Sequence, residues 1–310
     1  MAEFIVAICS YNRCQNLPAL VAALRKQQAS VPFEILVVDN NSTDKTQQVL
    51  AELANQKGAP LRFVRETQQG ITHARNRAIE ECLGNTYMAF IDDDELPQEG
   101  FIASAYNALA CEDAECVGGA ITIALSDKER PKWLVKELLG FLAEVDHADD
   151  AFWIVDKSTP IWTSNIAYRM EMFRGNRALR FDDRFNREGQ GVGGGEDAVM
   201  FWSLLDGGKR IRYRPDMRVI HFVEAWRLKR SYFLKLHFVA GRRCGEFNTQ
   251  DYPKSVFGVP LFMLLNVVRD WFRAMKLFVK GKPALRQAMN ASYACGLVLG
   301  RVRSKKKVSG

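Results

Sequence analysis

Metal-binding cysteine spacing is missing from this chain of 310 residues. Its seven cysteines, at positions 9, 14, 82, 111, 116, 244 and 295, form no C-x-x-C and have no paired histidines nearby. That argues against structural zinc and for reduced, mostly buried thiols. No P-loop is present. The glycine cluster GQGVGGG (189–195) follows no strand of a βαβ unit, so it is not a dinucleotide fingerprint. The longest uncharged apolar stretch near the C-terminus, VFGVPLFMLLNVV (256–268), is too short to span a bilayer by itself. At the N-terminus Glu3 precedes a short apolar run, Phe4 to Cys9, with neither a basic region nor a small-residue cleavage site. No signal peptide is expected, and the chain reads as cytosolic.

What is present is a soluble globular composition, 47% hydrophobic and 25% charged, with an uneven charge distribution. Residues 1–225 carry 25 basic against 33 acidic side chains, a net −8, whereas residues 226–310 carry 18 against 3, a net +15. The expected organisation is a body over 1–225 and a basic helical extension over 226–310 that meets an anionic surface.

Short apolar runs alternate with helical patterns through the first hundred residues. Strands are expected at 3–9, 33–39, 61–66 and 87–91, and helices at 16–28, through about 55, and at 71–83. This is the pattern of parallel βαβ units, an α/β fold with helices on both faces of the sheet. A helix over 98–110 and a strand over 116–124 follow, and two further strands are expected near RIRYRP and MRVIHFV. Ligands of such sheets bind at the carboxyl ends of the strands. Asp39 and the triplet Asp92, Asp93 and Asp94 stand at two such ends. Three adjacent carboxylates repel one another, and a positive partner relieves that repulsion.

Four motifs then fall in a recognisable order: VAICSYNR (6–13), ILVVDNNSTDKT (35–46), MAFIDDDELP (88–97) and GGGEDAVMFWSLLDGG (193–208). In type, order and spacing they resemble the family 2 glycosyltransferases of GT-A fold, a large bacterial group of inverting, nucleotide-sugar-dependent enzymes that includes succinoglycan glucosyltransferases. The resemblance covers roughly residues 3–225. It implies a GT-A (Rossmann-like), mixed but mostly parallel sheet, and a divalent metal, Mg²⁺ or Mn²⁺, as the positive partner of the acidic triplet. Hard cations of this kind take carboxylate and phosphate oxygens together.

Residue by residue, the resemblance implies Asp94 as metal ligand, with His221 as a late histidine ligand. Asp92 and Asp93 fall on the nucleotide-sugar side, and strand alternation would put 92 and 94 on one face with 93 on the other. Asp39 would receive the base, uracil being favoured, although the usual DDGS reads DNNS here. As an alternative, Asp39 opens an Asx-turn. The backbone at Cys9 and the ring of Tyr11 would line the nucleotide pocket. Arg75, in ITHARNRA, would touch nucleotide or phosphate. Asp197 would be the general base and Glu196 an orienting or capping acid, with the glycine cluster as a lid. Trp162 and Asn165 would lie on the acceptor side.

The partners implied are a nucleotide-diphosphate sugar and a saccharide or lipid-linked saccharide at the inner membrane face. Basic residues 269, 273, 276 and 280 repeat at helical spacing while Trp271, Met275 and Phe278 point elsewhere, as in an interfacial amphipathic helix. Aromatic residues grouped with aliphatic ones, rather than interleaved with the basic ones, argue against nucleic acid. A nucleotidylyltransferase of related fold would need a Gly- and Arg-rich phosphate loop where the chain reads SYNRCQN.

Overall fold

Strand β1 (Phe4–Ser10) is buried at all seven positions, and β4 (Tyr87–Ile91) at all five. Unbroken apolar runs of this kind form strands that are covered on both faces. The computed structural model describes residues 2–125, 130–187, 191–193, 195–250, 252–253, 255–256 and 258–308. Between the two strands come α1 (Leu17–Arg25), β2 (Phe33–Asp39), α2 (Thr46–Ala54), β3 (Leu61–Arg65) and α3 (Ile71–Glu81). Pro18 sits in the first turn of α1, where its missing N–H costs no helical bond. After β4 come β5 (Glu95–Pro97), α4 (Phe101–Ala110), β6 (Cys116–Ile123), β7 (Phe152–Ile154), β8 (Asn165–Arg169), α5 (Glu171–Gly175), α6 (Glu196–Asp206) and β9 (Ile211–His221).

Among the described residues nine strands make one mixed sheet in the order β3-β2-β1-β4-β8-β6-β9-β5, with β7 also on β9. The pairs among β3, β2, β1 and β4 are parallel, as is β6 with β9, whereas β8 is antiparallel to both its neighbours. The chain winds outward from β1 to β3 and returns to β4 on the other side of β1. The crevice between the ends of β1 and β4 is therefore the topological switch point, where ligands of open α/β sheets bind.

The two strands expected near the end of the body are one. Strand β9 runs through Pro215, and its register against β6 shifts between Gly119 and Ile121. Pro215 has no N–H to give the ladder, and a bulge accommodates it. Arg214 and Asp216 brace the irregularity through bonds of 2.9 and 2.7 Å, and Ser104 Oγ donates to Asp216 Oδ2 at 2.8 Å. Gly119 lies directly on the carbonyl of Met217, where any Cβ would collide.

The chain divides into two compact units. One comprises 1–127, 136–189 and 196–223, the other 128–135, 190–195 and 224–310. The second unit contains α7 (Arg230–Phe247), α8 (Leu261–Val279) and α9 (Leu285–Val308). Helices α7 and α9 meet backbone to backbone through a reciprocal glycine pattern. Gly241 and Gly245 lie on the carbonyls of Tyr293 and Leu297, and Gly296 and Gly300 on those of Phe238 and Arg242. The contacts advance together along both chains, so the two helices run in the same direction.

All seven cysteines are free thiols, but only Cys9, Cys82 and Cys116 are buried, fewer than expected. Residues 188–190 and 194 of the expected lid lie outside the described residues.

Candidate active site

The loops after β1 and β2 are tied to each other at the carboxyl edge of the sheet. Asn12 and Asn41 adopt left-handed φ of 52° and 61°. Asparagine tolerates that conformation, so Asn41 serves where the related motif carries glycine. The Asn12 carboxamide oxygen accepts from the Thr43 N–H at 2.7 Å, and the Asn12 N–H donates to Ser42 Oγ at 2.9 Å. Asp39, fully buried at the end of β2, accepts from the Ser42 N–H at 3.0 Å and from Gln47 Nε2 at 3.1 Å. The Asp39 side chain thus closes its turn onto the residue three on, where an Asx-turn bonds the residue two on. Tyr11 is half-buried in the loop, and Cys9 is buried in β1, where burial pushes its thiol far above the ordinary range. Cys9 can therefore offer its backbone but no thiolate.

The acidic triplet leaves the strand. Strand β4 ends at Ile91, and 92–94 form a turn closed by the Glu95 N–H donating to the Asp92 carbonyl at 3.1 Å. Strand alternation therefore does not sort these three side chains, which corrects the expectation that 92 and 94 share a face. Asp93 instead joins Asp94. Ser10 Oγ donates to Asp93 Oδ2 at 2.7 Å, across the switch point. Arg13 lies 3.8 Å from Asp93 and 3.3 Å from Asp94. Burial, and then the adjacent Asp94, raise the Asp93 carboxyl to about 7 despite the opposing pull of Arg13.

His221, at the end of β9, brings Nε2 to 3.7 Å from Asp94 Oδ1, and the Phe222 N–H donates to the Asp94 carbonyl at 2.9 Å. Glu95 pairs with His221 across β5 and β9 and is buried. Burial, then the charges of Asp92 and Asp94, hold its carboxyl well above the usual range. Glu95 and Ser10 were missed in the sequence. Nothing local separates Glu95 from a solvated turn acid, but the position of Ser10 at the end of β1 was a usable signal.

Asp92 turns the other way. It lies 3.6 Å from Arg75, whose Nη1 donates to Glu196 Oε1 at 3.0 Å and to Asp197 Oδ1 at 2.6 Å. Arg75 is only 3% exposed and stacks over Phe181 at 5.4 Å. Arg75, expected to touch nucleotide or phosphate, has its guanidinium held among three carboxylates. Three acids around one buried cation hold it charged, far above its ordinary range. Glu196 is buried, and burial followed by the charge of Asp197 raises its carboxyl, whereas Asp197 remains a quarter exposed. Both stand in the first turn of α6, where the helix dipole favours negative charge.

The acceptor-side residues divide. Trp162 is half-buried against the core. Asn165 has no exposure, and its amide donates to the carbonyls of Ala120 and Met217, each at 2.8 Å. It ties β8 to β6 and β9, where an acceptor cannot reach it, which corrects its expected role.

Carboxylate oxygens and an imidazole suit Mg²⁺ or Mn²⁺. Among the described residues no three such side chains close on one point.

Comparison with known proteins agrees with this geometry. Residues 5–176 match the model of glycosyl transferase family 2. Glycosyltransferase AglE of Haloferax volcanii is 28% identical over 117 residues, 37% of this chain and 38% of that protein. The succinoglycan biosynthesis protein ExoW of Rhizobium meliloti is 26% identical over 123 residues, 39% of each. The chain thus spans about two fifths of the length of these curated relatives.

Among solved structures, S. aureus TarS 1-349 in complex with UDP-GlcNAc superposes with a TM-score of 0.56 at 15% identity, over 99% of this chain and 92% of that one. The mannosyltransferase PcManGT of Pyrobaculum calidifontis, in complex with GDP-Man and Mn²⁺, gives 0.54 at 19% identity, over 100% and 79%. These likenesses establish a GT-A fold. With the family model matching more than half of the chain and its acidic motifs gathered at one switch point, the chain belongs to glycosyltransferase family 2.

Proposed function

We propose that the protein transfers a sugar from a nucleotide-diphosphate sugar, with a UDP-sugar favoured, to a hydroxyl of a saccharide or lipid-linked saccharide, inverting the anomeric centre. The observation that carries this reading is the buried Arg75 joining Asp92 of the triplet to Glu196 and Asp197 of the second acidic motif. Donor and acceptor chemistry thereby share one electrostatic unit. Complexes of structural neighbours with UDP-GlcNAc and with GDP-Man and Mn²⁺ support a donor of this class.

In this reading the loops carrying Tyr11 and Asp39 bind the nucleoside, and Asp92 and Asp93 face the sugar and ribose. Asp94 and His221 would hold Mg²⁺ or Mn²⁺, which when bound stabilises charge on the departing diphosphate. Asp197, the more exposed of its pair and held in place by Arg75, takes the proton of the attacking acceptor hydroxyl. Glu196, buried behind it, keeps Arg75 in place. Trp162 offers a ring to the acceptor sugar. The body over 1–225 performs the chemistry, and the extension over 226–310 serves the acceptor at the inner face of the cell membrane, in cell-surface polysaccharide synthesis.

The test is metal-dependent release of nucleoside diphosphate from UDP-, GDP- and dTDP-sugars, beside calorimetry of nucleotide binding with Mn²⁺. Asp94→Ala is expected to abolish both metal-dependent binding and release. Asp197→Asn is expected to keep binding while turnover falls about 10²- to 10⁴-fold, the usual worth of a general base. Absence of nucleotide binding by the wild type with metal present would refute the reading.

A further inference from the structure

Helix α8 has three distinct sides. Its inner side carries Met263, Asp270 and Ala274, all buried. Its outer side carries Leu261, Leu265, Val268, Phe272, Met275 and Val279, at alternating spacings of four and three, with exposures from 50% to 79%. Trp271 and Phe278 widen this stripe, at 50% and 78% exposed. At 100° per residue these eight positions fill an arc of about 140°. Along one edge of the arc stand Arg269, Arg273, Lys276 and Lys280. A soluble monomer seldom leaves so continuous an apolar face open to water.

We propose that this outer face is a docking surface for an anionic lipid bilayer, with the helix axis lying in the plane of the interface. Three observations select that occupant. The helix's single acid, Asp270, is buried on the inner side and pairs with Arg269 and Arg273 at 3.2 and 3.8 Å, so one carboxylate offsets one of the four cations and the edge stays basic. A second copy docked on the stripe would therefore bring no negative charge from its own α8, whereas anionic headgroups meet the basic edge directly. The rings of Phe272, Trp271 and Phe278 lie on the apolar arc, Phe272 beside the basic edge and the other two towards the opposite edge, and an aromatic apolar face bordered by cations is what helices present at the boundary of headgroup and acyl chain. No helix among the described residues is long and apolar enough to cross a membrane, so α8 would lie on the bilayer. The surface itself depends only on the geometry of α8. Its use, to bring the site to an acceptor on the membrane, rests on the glycosyl-transfer reading.

The experiment is flotation of the full chain with vesicles of phosphatidylcholine alone or with 30% phosphatidylglycerol, at low and high salt. Light scattering and nucleotide calorimetry are run on the same samples. Wild type is expected to float with the anionic vesicles and to be released by salt. The double substitution Val268→Glu with Phe272→Glu, both at exposed positions, is expected to weaken binding by about tenfold or more. Arg269→Gln with Lys276→Gln is expected to weaken it severalfold and to flatten its salt dependence. Circular dichroism should show unchanged helix content.

Wild type that ignores anionic vesicles would overturn the proposal. So would a wild-type dimer that the glutamate pair dissociates, which would assign the face to a second copy. Vesicle binding without nucleotide binding would leave the surface standing and remove the glycosyl-transfer reading instead.

Discussion

Arg75 carries more of the site than its position in ITHARNRA suggests. A cation at 3% exposure survives because Glu196, Asp197 and Asp92 surround it, and Glu196 survives at 4% for the same reason. Such a group is costly to break and cheaper to remove whole. Arg75→Met should therefore lower unfolding stability by about 3–5 kcal/mol, since it leaves a buried carboxylate without its counter-charge. Adding Glu196→Gln should restore part of the loss. Urea denaturation of the two single variants and the double variant measures the coupling; strict additivity would show that Arg75 and Glu196 act independently. The same residue shows the limit of sequence reading. Its side chain was legible as part of the site, but its partners lie 17 and more than 120 positions away, and only folding names them.

Two elements make opposite demands on small residues. Where α7 and α9 touch, a methyl group on Gly245 meets the Leu297 carbonyl, which belongs to a helix backbone and cannot rotate aside. Alanine gains about 1 kcal/mol in helix propensity but costs about 1–3 kcal/mol in overpacking. With backbone on both sides, Gly245→Ala should be a net loss of about 1 kcal/mol or more by thermal or chemical denaturation. Gly175→Ala, where no atom stands within 4 Å, should be neutral or stabilising. The G-x-x-x-G spacings of GRRCG and GLVLG are visible in the sequence, but their mutual fit is not.

In β9, the bulge around Pro215 depends on Asp216, whose carboxyl is held down to about 2, first by the Arg214 guanidinium and also by the Ser104 hydroxyl. A carboxyl bound more tightly by protons in the unfolded chain stabilises the fold above its unfolded pKa, near 4. That contribution is lost as pH falls from about 4 to about 2. Asp216 is half exposed, so solvent screening limits its worth to about 1 kcal/mol or less. Asp216→Asn should remove this part of the acid dependence and leave the stability profile above pH 5 parallel to that of wild type, in urea titrations at stepped pH.

For the whole molecule, binding of donor nucleotide is the most direct handle on stability. A ligand that binds only the folded chain, at a hundred times its Kd, adds about 2.7 kcal/mol. UDP with Mn²⁺ should therefore raise the melting temperature, and EDTA should reverse the shift. A shift of the same size with EDTA present would mean that the acidic triplet recruits no metal for the nucleotide. The charge division belongs to this scale too. A net −8 over 1–225 and +15 over 226–310 concerns what each part of the chain meets, not how either folds.

The alternation of apolar runs and helical patterns determined the first four strands and their helices to within a few residues, because burial on both faces leaves an unbroken apolar run. It also put Asp39 and the triplet at strand ends, since charge cannot continue inside such a run. Strands β5, β7 and β8 were not legible. β5 and β7 are three residues each, and β8 is set by antiparallel pairing with β4 and β6 rather than by its own pattern. The tertiary structure alone decided that Asp93 bonds to Ser10, that Asn165 ties strands, that Arg75 holds carboxylates and that the stripe of α8 faces water. Each is a question of which distant groups meet, and local periodicity carries no information about partners far along the chain.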